Sequence, residues 1–332
     1  MSQRPTPDWR LFHGDNVPRT PAMPEAPPWR SFGRAPDGRS PDGSSPEGAP
    51  ADAPPPRPYL IGRAEADIVN AALHLRRPLL VTGHPGTGKS SLAHAIAREL
   101  SLGEVLHWPV NSRSSLQDAL YRYDAIGRLR ESTLVREHGG AEPDIGSFLR
   151  LGPVGTALVP GDRPRALLVD ELDKGDVDLP NDLLTVFEEG AYEIPELARL
   201  PEESAEVAVL TADSDGRRAR VVRGRVRCSE FPVVVITSNG ERDFPPAFLR
   251  RCLRLDLPDP DERRLRDIVA AHLGPDALTQ AEDVLTAFLE RRAHGELATD
   301  QLLNAVFLRK GGLGLDADGL LDAVLHRLGG AV

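Results

Sequence analysis

From Tyr59 to about residue 258, short apolar runs alternate with amphipathic segments, which is typical of a parallel sheet with crossover helices. Five apolar runs predict strands at 78–82, 105–108, 166–170, 233–237 and 253–255. Helical spacing predicts helices near 63–75, 90–100, 116–126 and 179–189. We therefore expect an α/β domain over 59–258, with three layers around a parallel five-stranded sheet.

The two ends of the chain have different patterns. After Pro258 the strand pattern stops, and helical spacing in 262–272, 278–293, 300–309 and 319–328 predicts a small C-terminal α-helical lid domain over 259–332. Residues 1–58 hold 15 of the 31 prolines and few apolar residues, which predicts a disordered tail in isolation.

The tail contains two similar aromatic segments, in which Trp-Arg is followed by one residue and Phe. They are Trp9 to Phe12 and Trp29 to Phe32. Composition leaves two interpretations open. The segments are docking motifs for the core or for a partner, or they are chance aromatics in a leader.

A glycine-rich segment joins the first predicted strand to a helix. Residues 83–90, GHPGTGKS, fit the pattern G-x-x-x-x-G-K-[ST] in that context, which is the context of a phosphate-binding P-loop. Lys89 is expected to reach the β- and γ-phosphates of a nucleotide, and Ser90 to bind Mg²⁺. The predicted nucleotide-binding residues of this segment are Gly83, Pro85, Gly86, Thr87, Gly88, Lys89, Ser90 and Ser91. The alternative is a glycine-rich turn that only resembles a P-loop.

A second predicted strand ends in two carboxylates. Residues 166–171, ALLVDE, deliver Asp170 and Glu171 to the carboxyl edge of the sheet, as in a Walker B element. Asp170 is predicted to hold Mg²⁺ through water, and Glu171 to act as the general base on the attacking water. The alternative is a pair of solvated charges at a strand end.

Polar residues also follow the fourth predicted strand. Asn239 is predicted to lie between the P-loop and Walker B strands, where a neutral amide orients water or contacts a γ-phosphate. Ordinary Asn-Gly turn chemistry is the alternative. Just before the fifth strand stand Arg250 and Arg251, one of which is a candidate arginine finger acting on a neighbouring subunit, unless both are solvated surface arginines.

In this order, these motifs resemble the AAA+ superfamily of ATPases across about residues 59–330. Within it the chain looks like the MoxR-type ATPases, through LGPV at 151–154, DELDK at 170–174 and FLRR at 248–251. The resemblance implies binding of ATP and Mg²⁺, a hexameric ring of identical subunits with nucleotide between them, and chaperone-like remodelling of a protein client. It also implies a partner with a von Willebrand factor A domain.

Further residues carry over from the resemblance. Arg251 matches the family's Arg-aromatic position, with Cys252 in place of the aromatic residue, and Ile61 and Gly62 match the segment that lines the adenine pocket. An insert in helix 2 is implied near 148–158. No arginine stands at 298–301, where the lid of MoxR-type proteins usually carries a sensor-2 arginine.

The chain between the Walker B helix and the fourth strand is long. Alternating runs at 207–211 and 220–227 flank an Asp-Gly turn, which predicts a β-hairpin. Its arginines indicate either a surface facing a substrate or partner, or a solvated decoration.

Composition narrows the classes of function. The net charge of −10 opposes a general nucleic-acid coat, although a basic pore in a ring would be hidden from this count. The sequence has no apolar run of 18 residues and no apolar leader, so it predicts a cytoplasmic protein that is not associated with a membrane. Cys228 and Cys252 are the only cysteines, so inert buried thiols are expected.

Three functional hypotheses follow. The first is an ATP-hydrolysing machine of MoxR type, favoured by Lys89, Asp170, Glu171 and Asn239. The second is an assembly switch that binds ATP without hydrolysis, consistent with the missing sensor-2 arginine. The third, a nucleic-acid motor in a defence system, is disfavoured by the acidic charge.

Overall fold

A computed structural model of the chain describes residues 9–25, 27, 30, 58–138, 140, 142–279, 281–293, 297–311 and 319–326. Its strands are β1 (Leu79–Thr82), β2 (Leu106–Pro109), β3 (Tyr121–Tyr123), β4 (Leu149–Leu151), β5 (Ala166–Asp170), β6 (Ala191–Glu193), β7 (Glu206–Leu210), β8 (Arg218–Val222), β9 (Arg225–Arg227), β10 (Val233–Ser238) and β11 (Leu253–Asp256). Its helices are α1 (Arg63–Leu75), α2 (Lys89–Glu99), α3 (Leu116–Leu120), α4 (Ala125–His138), α5 (Pro153–Ala157), α6 (Leu179–Glu189), α7 (Pro195–Ala198), α8 (Pro246–Leu249), α9 (Glu262–Leu273), α10 (Glu282–Arg292), α11 (Thr299–Lys310) and α12 (Leu320–Val324).

The central sheet has five parallel strands in the order β11-β1-β10-β5-β2. Alternate residues of its strands enter two apolar cores. Leu79, Val81 and Leu168 pack with α1 and α2, whereas Leu80 and Val169 pack on the opposite side with α5 and α6. The inner strands β1, β10 and β5 are buried on both faces, which explains why they are continuous apolar runs, whereas the edge strands β2 and β11 expose alternate residues. The predicted three-layer α/β fold with a parallel five-stranded sheet is confirmed.

A second sheet of six strands, in the order β3-β4-β7-β8-β9-β6, packs beside the first. The predicted hairpin is its β7–β8 pair, which is antiparallel from Glu206↔Val222 to Leu210↔Arg218. Val207, Val209 and Val221 are buried in the shared core. The hairpin is therefore part of the folded body, with its arginines on the outer face.

The helix predicted at 116–126 is wrong in its second half. It ends at Leu120, and Tyr121 continues as β3, which pairs antiparallel with β4 at Tyr121↔Leu151. Between these strands lies α4, which buries no residue. We call residues 121–151, which form this strand, helix and strand, the excursion. The insert implied by the resemblance lies near 148–158, but the excursion begins earlier, at residue 121. In the range 148–158 the structure has β4, which ends the excursion, followed by α5.

The C-terminal helices α9 to α12 form their own apolar core, which includes Leu265, Phe288, Leu302 and Leu325. The predicted helices correspond to these four, although α12 ends at Val324 and residues 327–332 lie outside the described part. Across the described residues, no helix is both long enough and apolar enough to span a membrane.

The N-terminal residues 9–25, called the arm below, differ from the predicted disordered tail. Phe12 is fully buried in the core between α1 and α2, and Asn70 of α1 hydrogen-bonds the backbone of Leu11 and Phe12. These contacts offset the ordering entropy that composition alone leaves unopposed. Of the second aromatic segment only Arg30 is described; Trp29 and Phe32 lie outside the described residues.

Candidate nucleotide-binding site

The glycine-rich loop connects β1 to α2 at the carboxyl edge of the central sheet. Gly83, Gly86 and Gly88 have φ values of 148°, 78° and 90°, a left-handed region that favours glycine. A Cβ on Gly86 would lie 2.5 Å from Cβ of Ala298 in the lid. The loop therefore follows a path that places bare backbone between β1, α2 and the lid, as a phosphate cradle requires.

The lysine of the loop points back into it. Nζ of Lys89 donates to the carbonyl oxygens of Gly83 at 2.7 Å and His84 at 2.8 Å. Burial lowers the pKa of Lys89, and the negative charges of Asp173, Asp170 and Glu171 oppose that shift. Lys89 is only 7% exposed, and an ammonium group enclosed by the loop in this way is suited to neutralising phosphate charge.

A serine, a threonine and a carboxylate meet beside this lysine. Oγ of Ser90 and Oγ1 of Thr237 each donate to Oδ1 of Asp170 at 2.7 Å, and Nε2 of His107 lies 3.2 Å from Oδ2. Burial raises the pKa of Asp170, but these hydrogen bonds outweigh it and keep the pKa below its ordinary value. The ionised Asp170 thus lies next to the Ser90 hydroxyl, as the sequence predicts for a shared cation.

Glu171 occupies a strained position directly after β5. Its φ of 58° and ψ of 48° are left-handed, which is uncommon for a residue other than glycine. Its N–H donates to Oγ1 of Thr237 at 2.8 Å, and its carboxylate contacts Nζ of Lys174 at 2.8 Å and Nδ2 of Asn239 at 3.5 Å. This backbone turn carries the carboxylate away from Asp170 and towards Asn239.

The loop after β10 is fixed by a buried carboxylate. β10 lies between β1 and β5, so Asn239 emerges between the P-loop and Asp170, as predicted. Oδ2 of Asp173, a residue only 3% exposed, accepts the N–H groups of Asn239 at 3.0 Å and Glu241 at 3.1 Å. Asp173 therefore sets the height of Asn239 above the sheet.

The two candidate finger arginines have different surroundings. Nε of Arg251 contacts the carboxylate of Glu188 at 3.1 Å, and its Nη1 donates to the carbonyl of Ala247. Arg250 is exposed, and among the described residues its side chain has no hydrogen-bonding partner. The resemblance favours Arg251 as the residue that reaches a neighbouring subunit, but in this structure Arg251 is paired within its own chain and Arg250 is the exposed arginine.

The segment predicted to line an adenine pocket touches both the loop and the lid. The ring of Tyr59 packs beside Gly88, because a Cβ atom added to Gly88 would lie 3.2 Å from Cε2 of Tyr59. Arg264 of α9 donates to the carbonyl of Leu60 at 3.1 Å and pairs with Glu65 at 3.3 Å. Ile61 and Gly62 follow directly and lead into α1, so this segment borders the P-loop as a base-binding segment should.

The remaining predicted loop residues have supporting positions. Oγ1 of Thr87 donates to the carbonyl of His84 at 2.9 Å, which closes the turn of the loop. Pro85 is half-buried within that turn, and the side chain of Ser91 is exposed on the first turn of α2. The structure places all three at the loop without assigning a ligand to them.

The donor set fits Mg²⁺ bound with phosphate. Ser90 and Asp170 supply hard oxygen donors at one point, and Mg²⁺ in such sites keeps water and phosphate oxygens as its other ligands. Among the described residues no group of three His, Cys, Asp or Glu side chains could hold a metal by itself. The arrangement is thus suited to a cation that arrives with a nucleotide.

Comparison with known protein families agrees with this geometry. Residues 78–252, more than half of the chain, match the AAA domain of the dynein-related subfamily. The chain belongs to this AAA family. The match runs from the start of β1 to Cys252, so it includes the P-loop, Asp170, Asn239 and both arginines. No curated protein matches the chain in a search of whole sequences.

Membership in the AAA family implies nucleotide binding at this edge of the sheet. Four residues that the structure places beside this edge of the sheet were not identified as site residues from the sequence, namely Tyr59, His107, Asp173 and Thr237. Thr237 and Asp173 could have been identified from the sequence. Each is a polar residue within or beside an apolar strand, and a buried polar group needs a hydrogen-bonding partner, which the P-loop edge of the sheet would supply. His107 and Tyr59 had no such signal, since each is placed by its neighbours in space.

Proposed function

We propose that this chain binds ATP with Mg²⁺ at the P-loop and hydrolyses it, as an ATPase of MoxR type. The observation that carries the proposal is the junction of Ser90 and Thr237 on Asp170, with Glu171 and Asn239 beside it. Magnesium, when bound with ATP, supplies charge neutralisation between phosphates. Lys89 binds phosphate, Glu171 accepts the proton of the attacking water, and Asn239 orients that water.

Two substitutions test this assignment. Lys89→Ala should abolish ATP binding, because backbone N–H groups alone do not offset the charge that the ammonium group neutralises. Glu171→Gln should retain binding and lower turnover by roughly 10²-fold or more, the scale of general-base catalysis. Calorimetry and phosphate release measure the two effects. Unchanged affinity in Lys89→Ala would disprove the site, and near wild-type turnover in Glu171→Gln would assign the water to another residue.

The lid gives one observation in favour of a second function, an ATP-dependent assembly switch without turnover. The lid residues nearest Gly86 are Ala298 and Thr299, so a sensor-2 arginine does not stand at this contact. If wild-type protein binds ATP but releases no more phosphate than Glu171→Gln, the switch is correct. Stimulation of phosphate release by DNA would instead favour a nucleic-acid motor.

We further propose a hexameric ring that remodels a protein client, with a von Willebrand factor A domain protein as its partner. The support is the MoxR resemblance and the exposed outer arginines of the second sheet, Arg218, Arg220 and Arg225. Light scattering with and without ATP tests the ring. A mass of one chain at all ATP concentrations would contradict it.

The finger assignment follows from the ring. In a ring, Arg251 would exchange Glu188 for a neighbour's γ-phosphate, and its loss should lower turnover by about 10³-fold. Arg251→Ala subunits keep their own Lys89 and Glu171, so mixing with Glu171→Gln subunits should restore part of their turnover. Recovery in Arg250→Ala alone would make Arg250 the finger. Recovery in neither, with mixed rings confirmed by scattering, would make both arginines structural.

A further inference from the structure

The arm is held by polar side chains that bind its backbone. Oδ1 of Asn70 accepts the N–H groups of Leu11 at 2.7 Å and Phe12 at 2.9 Å, and its Nδ2 donates to the carbonyl of Phe12 at 2.6 Å. Glu99, at the end of α2, accepts the N–H groups of His13 at 2.5 Å and Gly14 at 3.1 Å. Asn70 and Glu99 are both fully buried. This network fixes the register of the arm on α1 and α2.

Further along the arm, Gly14 and Asn16 contact the segment 59–62. Oδ1 of Asn16 accepts the N–H of Tyr59 at 2.9 Å, and Nδ2 of Asn16 donates to the carbonyl of Tyr59 at 2.8 Å. Gly14, with a φ of 74°, lies so close to Ile61 that a Cβ would be 2.1 Å from its Cγ2. The two arm residues thus contact Tyr59 through hydrogen bonds and Ile61 through packing.

The same four residues face the P-loop and the lid. Tyr59 packs beside Gly88, and Arg264 of the lid binds the carbonyl of Leu60. The carboxylate of Glu65, which pairs with Arg264, also accepts the N–H of Gly62. The segment 59–62 is therefore fixed from three sides, and the arm is the only one of the three that lies outside the α/β and lid domains.

We propose that the arm is a clamp within the chain that positions the base-binding segment 59–62, and that Asn16 is its positioning residue. The inference rests on the proposed function, since it needs a nucleotide base beside this segment. Asn16 acts through Tyr59, and Phe12 acts as the anchor that keeps Asn16 in place. Nucleotide affinity then depends on whether the arm is docked.

Asn16→Ala in the full chain tests the clamp with two ligands, ATP and inorganic tripolyphosphate, each titrated by calorimetry. ATP uses the base segment and the P-loop, whereas tripolyphosphate uses the P-loop alone. We expect affinity for ATP to fall roughly tenfold, the effect of one or two lost hydrogen bonds, and affinity for tripolyphosphate to stay within twofold. Phe12→Ala should reproduce this selective loss by releasing the anchor.

Two variants serve as controls. Asn304→Ala makes the same chemical change on an exposed face of α11, and Val17→Ala changes an arm side chain that is 51% exposed. Both should bind ATP and tripolyphosphate as wild type does. Hydrogen exchange in nucleotide-free protein gives a second readout: amides 59–62 should exchange faster in Asn16→Ala and not in the controls.

The outcomes separate the clamp from the proposed function. If wild type binds neither ligand, the proposed function fails. If wild type binds ATP and Asn16→Ala binds it equally well, the clamp alone is wrong. An equal loss of affinity for both ligands would also overturn the clamp, because it would mean general damage to the P-loop.

Discussion

The hydrogen bonds of Asp173 lead to a prediction for both stability and turnover. Its carboxylate is 3% exposed and accepts the N–H groups of Asn239 and Glu241. Replacement by alanine leaves both N–H groups, which are partly buried, without their acceptor. Each such loss costs about 1–3 kcal/mol, so Asp173→Ala should reduce the free energy of unfolding by about 2–6 kcal/mol, and access of water to these N–H groups favours the lower value.

Asparagine at the same position separates hydrogen bonding from charge. The side-chain oxygen of Asp173→Asn can still accept both N–H groups, but without the charge that strengthens such bonds. We expect a loss of about 1 kcal/mol. Because Asp173 acts electrostatically on Lys89, removal of its charge in either variant should leave ATP affinity unchanged or slightly higher. Turnover should fall mainly in Asp173→Ala, where Asn239 loses the acceptor that holds it.

The assay is urea unfolding together with ATP titration and phosphate release, for wild type, both variants and Asp182→Ala. Asp182 is exposed in the first turn of α6, so its loss should change stability by no more than about 0.5–1 kcal/mol. The expected order of stability is wild type, then Asn, then Ala. Asp173→Ala with the stability and turnover of the Asp182→Ala control would refute a role for Asp173 in holding Asn239.

Three further predictions concern other groups. Burial raises the pKa of Cys228 and Cys252 to about 12, so both thiols should stay unreactive towards a thiol reagent at neutral pH until the protein unfolds; fast labelling of native protein would contradict this. Lys174→Ala removes an exposed ion pair with Glu171, worth at most about 1 kcal/mol, so turnover should change by less than about tenfold. Burial raises the pKa of Asp213, but the contact with Arg165 outweighs burial, so the pKa is below its ordinary value. This ion pair therefore stabilises the folded protein fully at pH values above the ordinary pKa of an aspartate, and that stabilisation is lost as pH falls through the lowered pKa. Asp213→Asn should accordingly be less stable than wild type at pH 7, and a gap in urea midpoint that does not narrow below about pH 4 would contradict the assignment.

The central sheet and its site could be predicted because their signals are local. The three inner runs, which form β1, β5 and β10, are buried on both faces, so their composition alone identifies them. The edge strands β2 and β11 expose alternate residues and still lie at the predicted positions, and α1 and α6 have the predicted bounds. The P-loop is recognised from glycines that adopt left-handed φ at fixed spacing. Parallel order then brings Lys89, Asp170 and Asn239 to one edge, as the motifs require.

The excursion 121–151 could not be predicted because its signal is non-local. Leu116, Ala119, Leu120 and Tyr123 keep a helical spacing, which favours one helix through this region. The chain instead extends at Tyr121 because Leu151, 30 residues later, offers a strand partner. Strand pairing over such a distance overrides local propensity, and a single sequence does not reveal the partner.

The docking of the arm could not be predicted for a different reason. The residues that indicate it, Asn70 and Glu99, lie on α1 and α2, the helices that bind the arm, and not in the arm itself. Glu99 is the last residue of α2, where an acidic side chain opposes the helix dipole by about 0.3–1 kcal/mol. Three donors on the arm, the N–H groups of His13 and Gly14 and the guanidinium of Arg19, outweigh that effect because hydrogen bonds to a buried carboxylate are charge-assisted. Asn70, inside an otherwise apolar face of α1, has the same explanation. Polar residues at positions that local rules disfavour therefore indicate a segment that docks from elsewhere in the chain, and α2 connects this docking point directly to Lys89 at its other end.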